Sequence, residues 1–249
     1  MDPVLHHGDC LDVLGGIDTL NADLAYLDPP FGVGRKMEGR DGAAFEDRLE
    51  DASLYMDFMR PRIEAILTHL HPDGSILVHC DWRQVHHLRV LLDELLGPDA
   101  FVNHLIWRYG LGGSSPRRFA RKHDDILFYA KSPNYFFKAP MVPATSQRLK
   151  GQLKKATDVL DIPSINNMAH ERTGWPTQKP MALLELLVQA CCPEDGLVLD
   201  PFCGSGTTIV AAKRTRRRGV GIDLSEEALG IANGRLRSLE PVNASPDSD

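Results

Sequence analysis

The sequence predicts an α/β domain built on a mostly parallel sheet with helices on both faces. Three observations predict it. Hydrophobic runs of strand length alternate with stretches of helical spacing at both ends of the chain. Two of those runs end in an acid followed by prolines or glycines, LDPPFGVG (27–34) and LVLDPFCGSGTT (197–208). Open parallel sheets place ligand-binding turns at such positions, beyond the carboxyl ends of their strands. The 249 residues are 43% hydrophobic, enough for one large core with a small insert.

The elements follow in order. LAYLD (24–28) reads as a short buried strand. SLYMDFMRPRIEAILTHL (53–70) carries Leu54, Phe58, Ile63, Ile66, Leu67 and Leu70 at helical spacing, with Pro61 expected to kink or divide the helix. HPDG (71–74) is a turn into the strand SILVHC (75–80). VHHLRVLLDELLG (85–97) is a helix stopped by Gly97. FVNHLIWRY (101–109) and DILFYAK (125–131) are strands. Between them GLGGSSPRRFARKH (110–123) is too rich in glycine, serine and charge to be core. Residues 132–170 lack a clean period and read as an insert. PMALLELLVQACC (180–192) is a helix with Pro180 in its first turn. GLVLD (196–200) is a strand, GTTIVAAKRTR (206–216) a helix, RGVGID (218–223) a strand, and SEEALGIANGRLRSL (225–239) a helix capped by Ser225. The tail from Pro241 is polar and expected to be loose. The expected division is residues 1–131, an insert at 132–170, a second half at 171–240 and a tail at 241–249.

Composition narrows the function classes. No apolar run reaches the length of a membrane-spanning helix, and MDPVLHHGDC lacks the pattern of a signal peptide, so a cytoplasmic location is the expectation. The five cysteines (Cys10, Cys80, Cys191, Cys192, Cys203) form no CxxC pair, which argues against a disulfide framework and a zinc site. Net charge is −6, yet residues 101–156 carry +9 and the rest of the chain −15. Such a local basic surface attracts phosphates even on an acidic protein. A solvated basic loop is the plainer account of the same charges.

The glycine turn after LVLD lacks the lysine of a Walker A loop and the full GxGxxG fingerprint. Gly204 and Gly206 would let backbone approach a ligand, and the helix behind them offers free N–H groups. Asp223 ends the next strand, about twenty residues on, where an acid accepts hydrogen bonds from ribose hydroxyls. Together they imply an adenosine-like ligand. The alternative for Asp223 is a helix-entry acid.

Taken in order, these stretches resemble the amino-methyltransferases of DNA in their beta arrangement, where the catalytic tetrapeptide precedes the cofactor loop. DPPF (28–31) resembles the catalytic motif and DPFCGSGTT (200–208) the cofactor motif. GDCLDVL (8–14) resembles the N-terminal motif near the cofactor adenine, and WPTQKP (175–180) the segment on the methionine side. HDDILFYAK (123–131) resembles the strand leading into target recognition. The resemblance runs from about residue 6 to 238, and it implies a Rossmann-like methyltransferase fold with 132–170 as a short target-recognition insert.

It also implies roles. Asp28 and the Pro29 carbonyl would accept hydrogen bonds from an exocyclic base amine, Pro29 and Pro30 would stiffen the loop, and Phe31 would stack on the flipped base. Gly32 and Gly34 would let the following loop close. S-adenosyl-L-methionine would be the cofactor, with Asp9 and Cys10 near its adenine. Lys179, Thr177 and Asp200 would lie at its amino-acid end, Lys179 pairing either with the cofactor carboxylate or with Asp200. Phe202, Gly204, Ser205, Gly206 and Thr207 would form its loop, and Asp223 would meet its ribose. The partner would be double-stranded DNA, contacted by Arg108, Arg117, Arg118, Arg121 and Lys122 and by Arg148, Lys150, Lys154 and Lys155; Trp107 and Tyr109 would either stack on it or pack inside. No metal and no membrane are expected, Cys203 is expected to pack, and a homodimer stays open. An Asp at the head of the tetrapeptide resembles the N6-adenine enzymes, whereas many N4-cytosine relatives open with Ser. Three rivals stand beside this reading: a methyltransferase of RNA or of a protein amide, a non-catalytic nucleic-acid-binding module, and a dinucleotide-dependent hydride-transfer enzyme.

Overall fold

In chain order the elements are β1 (Val4–His7), α1 (Cys10–Gly16), β2 (Ala22–Leu27), β3 (Lys36–Glu38), β4 (Ala44–Glu46), α2 (Ala52–His69), β5 (Leu70–Cys80) and α3 (Val85–Leu96), then β6 (Phe101–Arg108), β7 (His123–Ala130), β8 (Met141–Pro143), β9 (Leu153–Lys155), β10 (Val159–Asp161), α4 (Met181–Cys191), β11 (Leu197–Asp200), α5 (Thr207–Arg214), β12 (Arg218–Asp223) and α6 (Glu226–Arg237). They come from a computed structural model that describes residues 2–31, 36–38, 44–46, 51–110, 114–144, 148, 150–166 and 169–239. Gly32, Gly34 and the tail from Pro241 lie outside the described residues.

Eight strands form one sheet in the order β1-β12-β11-β2-β5-β7-β6-β10. The β1, β12, β11, β2 and β5 neighbours are parallel, and β7 runs against both β5 and β6. The expected mostly parallel sheet is therefore present. Its period of two sorts the core. Ala25 and Leu27 of β2 and Ile76, Val78 and Cys80 of β5 face α1, α2 and α3. Leu24, Tyr26 and Leu77 face the opposite way, onto Leu183, Leu184, Leu187 and Val188 of α4 and Ala211 and Ala212 of α5. Both faces are covered, so the central strands read as continuous apolar runs. Among the described residues no helix is long and apolar enough to cross a membrane.

Two local expectations need correction. Pro61 neither divides nor ends α2, which is assigned continuously from Ala52 to His69. Tyr55 and Met59 before the proline and Ile63 and Ile66 after it are all buried in the same core; packing on both sides holds the helix together despite the missing N–H. HPDG is not a separate turn before β5 but a bulge within it. The register jumps from Ala22↔Leu70 to Leu24↔Ser75, and a Cβ on Gly74 would come 2.9 Å from the Ala22 carbonyl oxygen. Elsewhere the expected caps are in place: Gly97 ends α3 with φ 86°, and Ser225 accepts a bond from Ala228 N–H at the start of α6.

The 132–170 segment holds β8, β9 and β10. The first two pair with each other, and β10 extends the main sheet beside β6. The parallel strands end together, so the turns after β1, β2, β11 and β12 share one edge of the sheet.

Candidate active site

A cavity of about 230 Å³ opens at that edge. Its wall draws on the turns after β1 (Asp9, Cys10), β2 (Asp28 to Phe31), β11 (Pro201 to Ser205) and β12 (Asp223 to Ser225), with Trp175, Thr177, Gln178 and Lys179 from the segment before α4. Four of the resemblance motifs, spread between residues 8 and 208 of the chain, thus border one space.

Asp28 follows the last paired residue of β2. Its Oδ2 is ion-paired with Lys179 Nζ, and both side chains are largely buried. Lys179 was expected beside the cofactor carboxylate or Asp200; among the described residues its ion-pair partner is Asp28 and not Asp200. The helix it precedes, α4, packs on Leu24 and Tyr26 and so carries the lysine over the end of β2. The other oxygen, Asp28 Oδ1, is buried and has no hydrogen-bond partner. His79, fully buried at the end of β5, lies 4.0 Å from it. The His79 ring is hydrogen-bonded to Tyr26 Oη at 2.7 Å and meets Asp124 Oδ2 at 3.4 Å. Burial alone would raise the Asp124 carboxyl, but bonds and charge from His79, helped by Lys179 and Tyr109, hold it below its ordinary value. The Phe31 ring sits 5.7 Å from the His79 ring and 5.3 Å from Lys179 Nζ. Sequence reasoning missed Tyr26, His79 and Asp124; Tyr26 and His79 lie inside apolar strands, and Asp124 lies in the polar start of β7.

The glycine loop is held by its neighbours. Gly204 and Gly206 have φ of 50° and 75°, values that favour glycine. A Cβ on Gly204 would come 3.2 Å from Trp175 Nε1, and one on Gly206 would come 2.6 Å from Ala232 Cβ. Asp223 accepts bonds from Gly204 N–H at 2.7 Å and Ser225 N–H at 2.9 Å, so it ties the loop to β12 and also serves as a helix-entry acid. Arg235 of α6 donates to the Ser205 carbonyl at 2.7 Å and to Thr207 Oγ1 at 2.9 Å. Asp200 is buried behind the loop. Desolvation lifts its carboxyl to about 7, against bonds from Thr208 and Phe202 N–H, with the charges of Asp28 and Asp223 adding to the rise. Cys203 is buried and packs, as expected.

At the far end Asp9 caps α1 through Leu11 N–H at 2.9 Å and pairs with Arg62 Nη2 at 2.6 Å. The Arg62 guanidinium lies 3.7 Å over the Phe58 ring, and Phe58 stands 6.3 Å from Phe202. Arg62 and Phe58 were not foreseen. They lie on the α2 helix, and its period showed only a core face. Cys10 is buried, its thiol pushed up to about 11 by burial.

These residues fit a nucleoside bearing a cationic amino-acid arm. Asp28, Asp200 and Asp223 converge on the cavity, and among its described lining residues the only Lys or Arg side chains are Lys179 and Arg62, each already paired with an acid. Aromatic rings at Phe58 and Phe202 flank the other end.

The basic residues fall into distinct settings. Arg117, Arg118 and Arg121 are exposed on the β6–β7 connection, and Lys122 is half-buried there, its carbonyl accepting from Tyr109 N–H. Arg148, Lys150 and Lys155 are exposed and Lys154 half-buried. Arg108 is ion-paired with Asp161 of β10. Trp107 packs: it is buried and donates from Nε1 to the Ile162 carbonyl at 2.8 Å. Tyr109 donates to Asp124 Oδ1 at 3.0 Å. Among the described residues no group of three or more His, Cys, Asp or Glu is arranged to hold a metal ion.

Known proteins are similar to this chain in sequence and in fold. A family model described as DNA methylase, of the N6/N4 methyltransferase type, matches residues 22–234. The type II methyltransferase M.ScaI of Streptomyces caespitosus is 32% identical, the match covering 95% of this chain and 82% of the relative. The DNA adenine methyltransferase YhdJ of Escherichia coli K12 is 26% identical over 92% of this chain and 81% of its own. Of the similar solved structures, the PvuII DNA methyltransferase, described as cytosine-N4-specific, superposes with a TM-score of 0.71 at 20% identity, covering 98% of this chain and 89% of that one. The M1.HpyAVI–SAM complex gives 0.64 at 23%, covering 94% and 98%. At those identities the two structures speak for the fold.

Proposed function

The chain belongs to the beta-arrangement family of S-adenosylmethionine-dependent DNA amino-methyltransferases, and from that premise we propose that it methylates the exocyclic N6 of an adenine flipped out of double-stranded DNA. The observation that carries the choice of base is Asp28, an acid at the head of the tetrapeptide with one buried oxygen unpartnered at the cavity wall. The E. coli relative named as an adenine methyltransferase supports the same base.

The lone pair of an exocyclic amine is delocalised into its ring, so the amine is a weak nucleophile. An acceptor for its N–H groups restores electron density to nitrogen as the methyl arrives. Asp28 Oδ1 and the Pro29 carbonyl are the acceptors. Lys179 holds Oδ2, which turns Oδ1 toward the base and fixes the carboxylate. Pro29 and Pro30 keep the loop stiff because their φ is fixed, and the Phe31 ring stacks on the base. Orientation of the two reactants accounts for much of the rate. When bound, S-adenosylmethionine supplies an electrophilic methyl carbon on its sulfonium. Asp200 would receive the cationic amino-acid arm, the Gly204–Gly206 loop would lie along the nucleoside, Asp223 would reach the ribose, and Asp9, Cys10, Phe58 and Phe202 would enclose the adenine. Arg117, Arg118, Arg121, Lys122, Arg148, Lys150, Lys154 and Lys155 face the phosphates, which sets affinity rather than sequence choice. The 132–170 segment reads the target.

The test is transfer of labelled methyl from S-adenosylmethionine to mixed-sequence duplex DNA, with single-stranded DNA and RNA as controls, followed by digestion to nucleosides. Label in N6-methyldeoxyadenosine is the expected result. Label in N4-methyldeoxycytidine would keep the mechanism and overturn the base, and label in RNA alone would overturn the substrate.

A further inference from the structure

We propose that Trp82 is a stacking site for a DNA base beside the catalytic loop, with Arg83 and Arg121 holding the adjoining phosphates. The proposal rests on the DNA reading above and adds a contact that the motifs do not contain.

Trp82 lies just past the end of β5, on the turn 81–84 that opens α3. It is 42% exposed, while Trp107 and Trp175 are 4% and 6% exposed. The turn abuts the catalytic loop: Gln84 Nε2 lies 3.5 Å from the Phe31 carbonyl oxygen. Asp81 fixes it from below, accepting Arg83 N–H at 2.9 Å and pairing with the Arg83 guanidinium. An exposed indole is therefore held on a braced turn that abuts the DPPF loop.

Cations gather around it. The Arg121 guanidinium lies 3.5 Å from the centroid of the Trp82 ring, and that of Arg83 lies 5.0 Å away. Arg121 is also close enough to Arg118 and Arg83 for their charges, after partial desolvation, to destabilise its own. Arg83 and Arg121 thus flank one indole; Arg83 is paired with Asp81, and Arg121 has the charges of Arg118 and Arg83 against it. Phe119, 98% exposed on the same connection as Arg118 and Arg121, sets a second ring among these charges. A flat ring with converging positive charge fits a nucleic-acid strand: base on ring, phosphate on guanidinium. A protein partner would be expected to bring acids and apolar side chains, but among the described residues the groups set over the ring are guanidiniums.

The proposal is tested with the full chain by measuring affinity for a mixed-sequence duplex and for heparin, a polyanion without bases, in wild type, Trp82→Ala, Trp82→Phe and Arg121→Gln. Trp82→Ala is expected to weaken DNA binding about tenfold, to leave heparin affinity and the salt slope unchanged, and to keep cofactor affinity as a control of folding. Trp82→Phe is expected to restore most of the loss. Arg121→Gln is expected to lower the salt slope on both polyanions. Unchanged DNA affinity in Trp82→Ala, an equal loss on heparin, or no rescue by Phe would each overturn the stacking site. Methyl transfer to the same duplex is followed in parallel. Wild type that methylates DNA beside a neutral Trp82→Ala sinks only this proposal, whereas wild type that methylates no DNA sinks the reading on which it rests.

Discussion

Lys179 and Asp28, 151 residues apart in sequence, are joined by an ion pair in the wall of the cavity. One comes from the turn after β2, the other from two residues before the start of α4. The pair ties the DPPF turn to the segment before α4. It also leaves Asp28 with one oxygen held and one available, the state that a carboxylate needs to accept a hydrogen bond in a fixed direction.

Replacing either partner separates these roles. Asp28→Ala is expected to reduce methyl transfer by about a thousandfold or more while cofactor affinity by calorimetry stays within a few-fold. Lys179→Gln strands a buried carboxylate and is expected to cost about 3 kcal/mol of stability. Adding Asp28→Asn to it should return most of that loss in thermal denaturation. A double variant no more stable than Lys179→Gln would show that the pair is not coupled.

Asp200 predicts a pH dependence of cofactor binding. Desolvation, then the charges of Asp28 and Asp223, put its carboxyl at about 7 against bonds from Thr208 and Phe202 N–H. Below that pH it is protonated and does not attract a cationic arm; above it the carboxylate does. Affinity for S-adenosylmethionine should rise with pH by up to about tenfold per unit below 7 and level off above. Asp200→Asn should bind more weakly and show a flatter profile. The stability link has the matching sign. The folded value lies above the unfolded one, so stability is full below the unfolded value and falls as pH rises through about 7; the melting temperature of Asp200→Asn should therefore gain on wild type across that window. A wild-type affinity that falls as pH rises through 7 would place the cation elsewhere.

Asp223 does two things at once, and one substitution divides them. Its carboxylate fastens Gly204 N–H and Ser225 N–H and borders the cavity. Asp223→Ala should lose about 2 kcal/mol of stability from the two charge-assisted bonds and weaken cofactor binding. Binding of 5′-deoxy-5′-methylthioadenosine, which keeps the ribose but lacks the amino-acid arm, should weaken by the same factor. If only the full cofactor binds less well, Asp223 does not meet the ribose.

What the sequence made legible was whatever lies within one strand and its turn. DPPF and DPFCGSGTT each state an acid, a stiff or glycine turn and a strand in a few consecutive residues, and both turns border the cavity. The residues that brace them were not legible. His79 touches Tyr26 and nears Asp28 only because β5 is the neighbour of β2, and Asp124 joins them because β7 pairs with β5. Arg62 reaches Asp9 because α2 packs along α1. Such contacts depend on sheet order, which no local pattern carries. For Trp107 the sequence left stacking and packing open, and burial on the sheet decided for packing; for Pro61 burial on both sides of the proline kept α2 undivided.

Gly206 offers the sharpest test of the loop. It has φ 75°, and an added Cβ would sit 2.6 Å from Ala232 Cβ on α6, with the Ala232 Cα at 3.3 Å. Two costs should therefore add in Gly206→Ala: about 1 kcal/mol for a side chain in left-handed backbone, and about 2 kcal/mol for the collision. Ala232→Gly removes the collision and not the backbone cost, although glycine within α6 costs about 1 kcal/mol on its own. Gly206→Ala should then destabilise wild type by about 3 kcal/mol and the Ala232→Gly protein by about 1 kcal/mol, read from denaturant unfolding of the four proteins. The cofactor should follow the same order, because the loop that Gly206 closes carries its binding groups. Equal losses in both backgrounds would mean that α6 does not press on the loop.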